Sequence, residues 1–88
     1  MPALDTEGDQ VRATVRINLT EGERERLETM SRSRALEGRL VLRARIVLLA
    51  AAGLSNRCIG EELGIDYKTA MRWRNRFGKD GFQGIEQE

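Results

Sequence analysis

Between Tyr67 and Lys79 the chain carries five basic residues and no acidic one. Lys68, Arg72, Arg74, Arg76 and Lys79 are charged donors, and Thr69 and Asn75 add neutral polar groups. Donors of these types suit two kinds of acceptor: phosphate oxygens, which arginine engages with a planar fork, and the exposed edges of bases. The spacing sorts them. On a helix of about 100° per residue with Ala70 as origin, Trp73 and Phe77 fall within about 60° of it, while Lys68, Arg72, Asn75 and Lys79 fall about 140–200° away. Met71, at about 100°, joins that second face. Such a helix seats itself by one face and offers hydrogen-bond donors on the other, as reading a DNA major groove requires. Arg72 suits a guanine edge and Asn75 an adenine. Thr69 and Arg76 flank the face on one side and Tyr67 and Arg74 on the other, where phosphates would lie. Arg57, on the preceding element, joins the DNA-facing set.

The segment from Leu54 to Phe77, LSNRCIGEELGIDYKTAMRWRNRF, has the spacing of a helix-turn-helix. Ser55 caps a helix over about Asn56 to Leu63, and Gly64 takes the left-handed conformation that ends it. Asp66 caps a second helix over about Tyr67 to Phe77, ending at Gly78. Gly60 is small where the two helices would cross. Ile59, Leu63 and Ile65 supply apolar contacts beneath the turn. Ala70, Trp73 and Phe77 are expected as core rather than as stacking platforms, and Cys58 as a small buried group.

Ahead of this motif, Glu37 to Ala52 is the most apolar stretch. Leu40, Ala44, Val47, Leu48 and Ala51 recur at helical spacing, with Val41, Leu42, Ile46 and Leu49 widening the stripe. This helix should be central, with Arg39, Arg43 and Arg45 on its polar side and Gly53 as its cap. Thr20 and Glu23 have the spacing of a capping box, which opens an earlier helix with Leu27 and Met30 on its inner face. Ser31 to Arg34 should break that helix. From Val11 to Leu19 apolar residues alternate with mostly polar ones, the pattern of a short strand or extended segment. It would pair with its copy in a homodimer or lie over the helices. These signals divide the chain into a flexible lead-in (1–10), a helix-turn-helix domain with its leading strand and helix (11–78), and a tail or linker (79–88). Gly78, Gly81 and Gly84 suggest that the exit is loosely structured.

Composition narrows the function. The chain has 88 residues, 33% charged, with a formal net charge of +1. That balance hides a polarised layout: residues 11–79 hold all 15 basic groups and 8 of the acidic ones, a net +7, and 13 of the 15 are arginine. A basic, arginine-rich centre points to nucleic acid. With no histidine, the commonest general base is missing. The single cysteine cannot form an internal disulfide or build a zinc site, and Glu61 and Glu62 read as surface charges. No apolar run reaches the roughly 18 residues of a membrane span, and residues 1–10 lack the basic and apolar regions of a secretory signal. The expectation is a cytoplasmic, nucleoid-associated binding protein with double-stranded DNA as partner. No enzymatic activity, cofactor, metal, membrane or small-molecule substrate is expected.

The run RLVLRARIVLLAAAGLSNRCIGEELGIDYKTAMRWRNRFGKDGFQGI, Arg39 to Ile85, resembles the N-terminal DNA-binding region of bacterial insertion-sequence transposases of the mariner-like group. INLTEGERERLETM, Ile17 to Met30, resembles their leading helix. The resemblance implies an all-α, homeodomain-like helix-turn-helix bundle that binds transposon-end DNA, with Lys68, Thr69, Met71, Arg72 and Asn75 on its recognition helix. The chain departs from that pattern in having Asp66 where serine or threonine is usual and Gly60 where alanine is usual. Those transposases continue into a second DNA-binding unit and a catalytic domain with three metal-binding carboxylates, neither of which lies in this sequence. Two functional classes stand: a sequence-specific DNA-binding module, transposase-derived or a small transcriptional regulator, and a helical protein-interaction or dimerisation module without DNA binding.

Overall fold

Three helices begin where a short polar side chain caps them. The Thr20 hydroxyl accepts the Glu23 N–H at 3.1 Å while the Glu23 carboxylate accepts the Thr20 N–H at 3.0 Å, a reciprocal capping box. Ser55 Oγ accepts the Cys58 N–H at 3.1 Å, and Asp66 Oδ1 accepts the Lys68 N–H at 2.8 Å. Such a cap is typically worth about 1 kcal/mol, because it satisfies a donor that the helix itself leaves unpaired.

The computed structural model describes residues 15–87. These residues form α1 (Glu21–Ser31), α2 (Gly38–Ala51), α3 (Asn56–Leu63), α4 (Tyr67–Asp80) and α5 (Phe82–Glu86), and no strand occurs among them. The fold is all-α. α2 is central and packs against each of the other four helices. Contact on several sides explains why burial on α2 is not confined to the expected stripe. Ala44, Ile46 and Val47 are fully buried, whereas Leu40, Leu48 and Ala51 are half-buried. From α1, Leu27 and Met30 complete this core.

At the periphery one of the two expected placements of the alternating segment is found, and two other expectations change. Residues 15–20 are extended but pair with no strand. Ile17 is buried and Val15 and Leu19 are half-buried against the core, while Arg16 and Asn18 face outward. The period of two therefore reflects a strap laid over the helices, and its apolar side is used within the chain. The rest of the alternating segment, 11–14, and the lead-in 1–10 lie outside the described residues.

First, α4 does not end at Gly78 but continues to Asp80, and Gly81 terminates it with φ 65°. Gly78 is interior because the strap needs its space: a Cβ there would stand 2.6 Å from Val15 Cγ1.

Second, the exit segment is not loose. α5 buries Ile85 completely, and Phe82 meets the Phe77 ring edge-on at 5.3 Å. A Cβ on Gly84 would collide with the carbonyl oxygen of Arg76, so glycine is what lets α5 fold back onto α4. Arg26 ties α1 to this turn, stacking 4.0 Å over Phe82 and pairing with Glu86 at 2.8 Å.

Candidate nucleic-acid interface

The angle between α3 and α4 is set by a close backbone contact. A Cβ on Gly60 would lie 2.7 Å from the carbonyl oxygen of Ile65 and 3.3 Å from the Tyr67 nitrogen. The turn thus runs directly over α3, in space that only glycine leaves open. Gly64 (φ 70°, ψ 36°) takes the left-handed conformation that reverses the chain, and the Ile65 N–H returns to the Gly60 carbonyl at 2.9 Å. Ile59 and Ala70, both at zero exposure, belong to the core, with Trp73 and Phe77 continuing the buried side of α4.

The opposite side of α4 carries the donors. Lys68, Arg72, Asn75 and Lys79 are exposed, and their side chains make no hydrogen bond or ion pair with a described residue. Thr69 and Met71 are half-buried beside them. Arg57 is exposed on α3, and with Gly60, Glu61, Gly64, Ile65 and the half-exposed Tyr67 it lines a shallow cleft next to the turn. Arg76 is half-buried, its guanidinium 5.0 Å from the centre of the Trp73 ring.

Arg74 is not on this surface, which corrects its expected place beside phosphates. It is 3% exposed. Its Nε donates to the Val15 carbonyl at 2.6 Å, and its Nη1 to the Leu54 carbonyl at 2.7 Å and to Asn56 Oδ1 at 3.1 Å. Desolvation draws the guanidinium below its ordinary pKa, and the three acceptors compensate for the lost water. The signal was in the sequence: at about 100° per residue Arg74 falls only about 40° from Ala70, in the apolar sector.

Arg43 is a second correction. Instead of projecting from the polar side of α2, it is 5% exposed, stacks 3.7 Å over Trp73 and donates to the Ile85 carbonyl at 2.9 Å. Its spacing of three and four residues from Ile46 and Val47 places it on their face. Arg39 and Arg45 are exposed as expected; Arg39 pairs with Glu37 at 2.7 Å and Arg45 donates to the Ser31 carbonyl. Cys58 is exposed rather than buried, on the outer side of α3.

The face is therefore a row of exposed donors and positive charge, on a helix whose other side is locked into the core and whose entry angle is set by a glycine contact. Among the described residues no three histidine, cysteine, aspartate or glutamate side chains stand together as metal ligands do, and no helix is long and apolar enough to cross a membrane. Residues 37–85, more than half of the chain and spanning α2 to α5, match a family described as a homeodomain-like domain. No curated protein and no solved structure matched the chain.

Proposed function

The chain belongs to the homeodomain-like domain family, and from that premise we propose that it binds double-stranded DNA sequence-specifically, with α4 as the recognition helix. The observation that carries this reading is the face of Lys68, Arg72, Asn75 and Lys79. It is exposed, without acid and without a partner among the described residues, opposite the buried side of Ala70, Trp73 and Phe77. Arg72 forks onto a guanine and Asn75 onto an adenine in the major groove. Lys68, in the first turn of α4, approaches a neighbouring base edge, while Arg57, Tyr67, Thr69, Arg76 and Lys79 engage the phosphates on either side.

The resemblance of Arg39–Ile85 and Ile17–Met30 to mariner-like insertion-sequence transposases favours a transposase-derived module that recognises transposon ends. A small transcriptional regulator would use the same face. Recovery of bound duplexes from a random library, followed by isotherms at two salt concentrations, tests the proposal. Affinity should fall with salt by about 0.9 log units per log unit for each phosphate neutralised. Failure to bind any duplex, or binding that does not respond to salt, overturns it.

A further inference from the structure

Met71 is the one apolar side chain on the donor face of α4. The other apolar residues of the helix beyond its exposed first tyrosine, namely Ala70, Trp73 and Phe77, are all in the core. Met71 is half-buried and, among the described residues, belongs neither to the hydrophobic core nor to the partly buried hydrophobics packed against it. Its neighbours on the helix surface, three and four residues away, are the exposed Tyr67, Lys68 and Asn75 and the buried Arg74, so Met71 stands at the edge of the donor face. Partial burial leaves the rest of this apolar side chain open to solvent beside Lys68 and Asn75. That open part matches what lies opposite such donors in a DNA major groove. Most features there are acceptors or donors; the one apolar feature is the C5 methyl of thymine. Met71 is the fifth residue of α4 and so lies in the first two turns, the part of a recognition helix that reaches base edges. The unbranched thioether adapts its shape to a small partner such as a methyl group.

Resting on the reading of α4 as the recognition helix, we propose that Met71 determines specificity by packing on the methyl group of a thymine close to the adenine engaged by Asn75. The distance follows from geometry. Residues four apart on a helix face have Cβ atoms about 5–6 Å apart. Successive base pairs rise about 3.4 Å. The thymine therefore lies within about two base steps of the adenine, and the preferred site holds an A·T-rich step at its centre.

The test removes the methyl and nothing else. A duplex selected by the full chain is resynthesised with each thymine replaced in turn by deoxyuridine. Affinities are measured for the parent, Met71→Ala and Met71→Gln, with helicity by circular dichroism as the check on folding. For the parent, one replacement should weaken binding about fourfold, the worth of one buried methyl. That thymine should lie within about two base pairs of the adenine whose substitution Asn75→Ala makes silent. For both Met71 variants the same deoxyuridine should cost nothing. A parent indifferent to every deoxyuridine, or a loss that persists undiminished in the variants, overturns the inference alone. A parent that selects no duplex overturns the reading of α4 itself.

Discussion

The Arg74 guanidinium donates to the carbonyl oxygen of Val15 at 2.6 Å, across 59 residues of sequence. Through its Nη1 it also holds Leu54 and Asn56. One side chain of α4 therefore joins the N-terminal strap, the α2–α3 loop and the start of α3. Beside it the strap's Val15 occupies the space above Gly78, and Ile17 enters the core. The recognition face is thus held from behind by a cation that never reaches the surface.

Arg74→Ala should destabilise the fold by roughly 2–3 kcal/mol, since it strands buried acceptors that were bonded to a charged donor. Arg74→Lys should recover only part of this, because an ammonium cannot reproduce the fork. Chemical denaturation measures the loss. The salt dependence of DNA binding by the folded fraction should be unchanged. A reduced salt slope with full stability would return Arg74 to the interface.

Gly60→Ala tests the crossing of the turn over α3. On propensity alone, alanine in a helix interior gains about 1 kcal/mol over glycine. Here its methyl would stand 2.7 Å from the Ile65 carbonyl, a backbone atom that moves only if the turn moves. The net effect should be a destabilisation of about 1–2 kcal/mol, in the range of overpacked sites. A stabilised variant would mean that the turn yields without cost.

Trp73→Ala should cost roughly 3–5 kcal/mol. It empties a core position and removes the ring on which Arg43 stacks at 3.7 Å, leaving that buried guanidinium without its aromatic partner. Thermal unfolding should show a large fall in midpoint, and an unchanged midpoint would contradict the core assignment.

The helix-turn-helix was legible because its determinants are local. Ser55, Gly64 and Asp66 set helix ends within a few residues of themselves, and the period of Ala70, Trp73 and Phe77 separates core from surface. What escaped was packing between elements. Gly84 and Gly78 resemble linker glycines in sequence, yet each leaves room for another part of the fold: Gly84 for the Arg76 carbonyl as α5 turns back on α4, and Gly78 for the strap's Val15, some sixty residues away in sequence. Arg43 and Arg74 read as surface charge by residue type alone. Their burial depends on carbonyls of Ile85, Val15 and Leu54, which only the folded chain brings within reach. Position on the helix placed both arginines better than chemical type did.

The same face should separate reading from seating. Arg72 and Asn75 lie near its centre and are exposed, so alanine at either should cost roughly 1–3 kcal/mol on the preferred duplex and much less on random DNA. Arg57 lies on α3 beside the turn, where a helix-turn-helix crosses the backbone. Arg57→Ala should weaken binding to both duplexes about equally and lower the salt slope by about one. Isotherms on the two duplexes at two salt concentrations measure all three variants together. Stability should be unaffected in each, because none of these side chains bonds to a described residue. If Arg72→Ala and Asn75→Ala lose equally on both duplexes, α4 binds phosphates without reading bases. The donor face would then be an electrostatic seat, and sequence preference would have to come from the shape of the DNA.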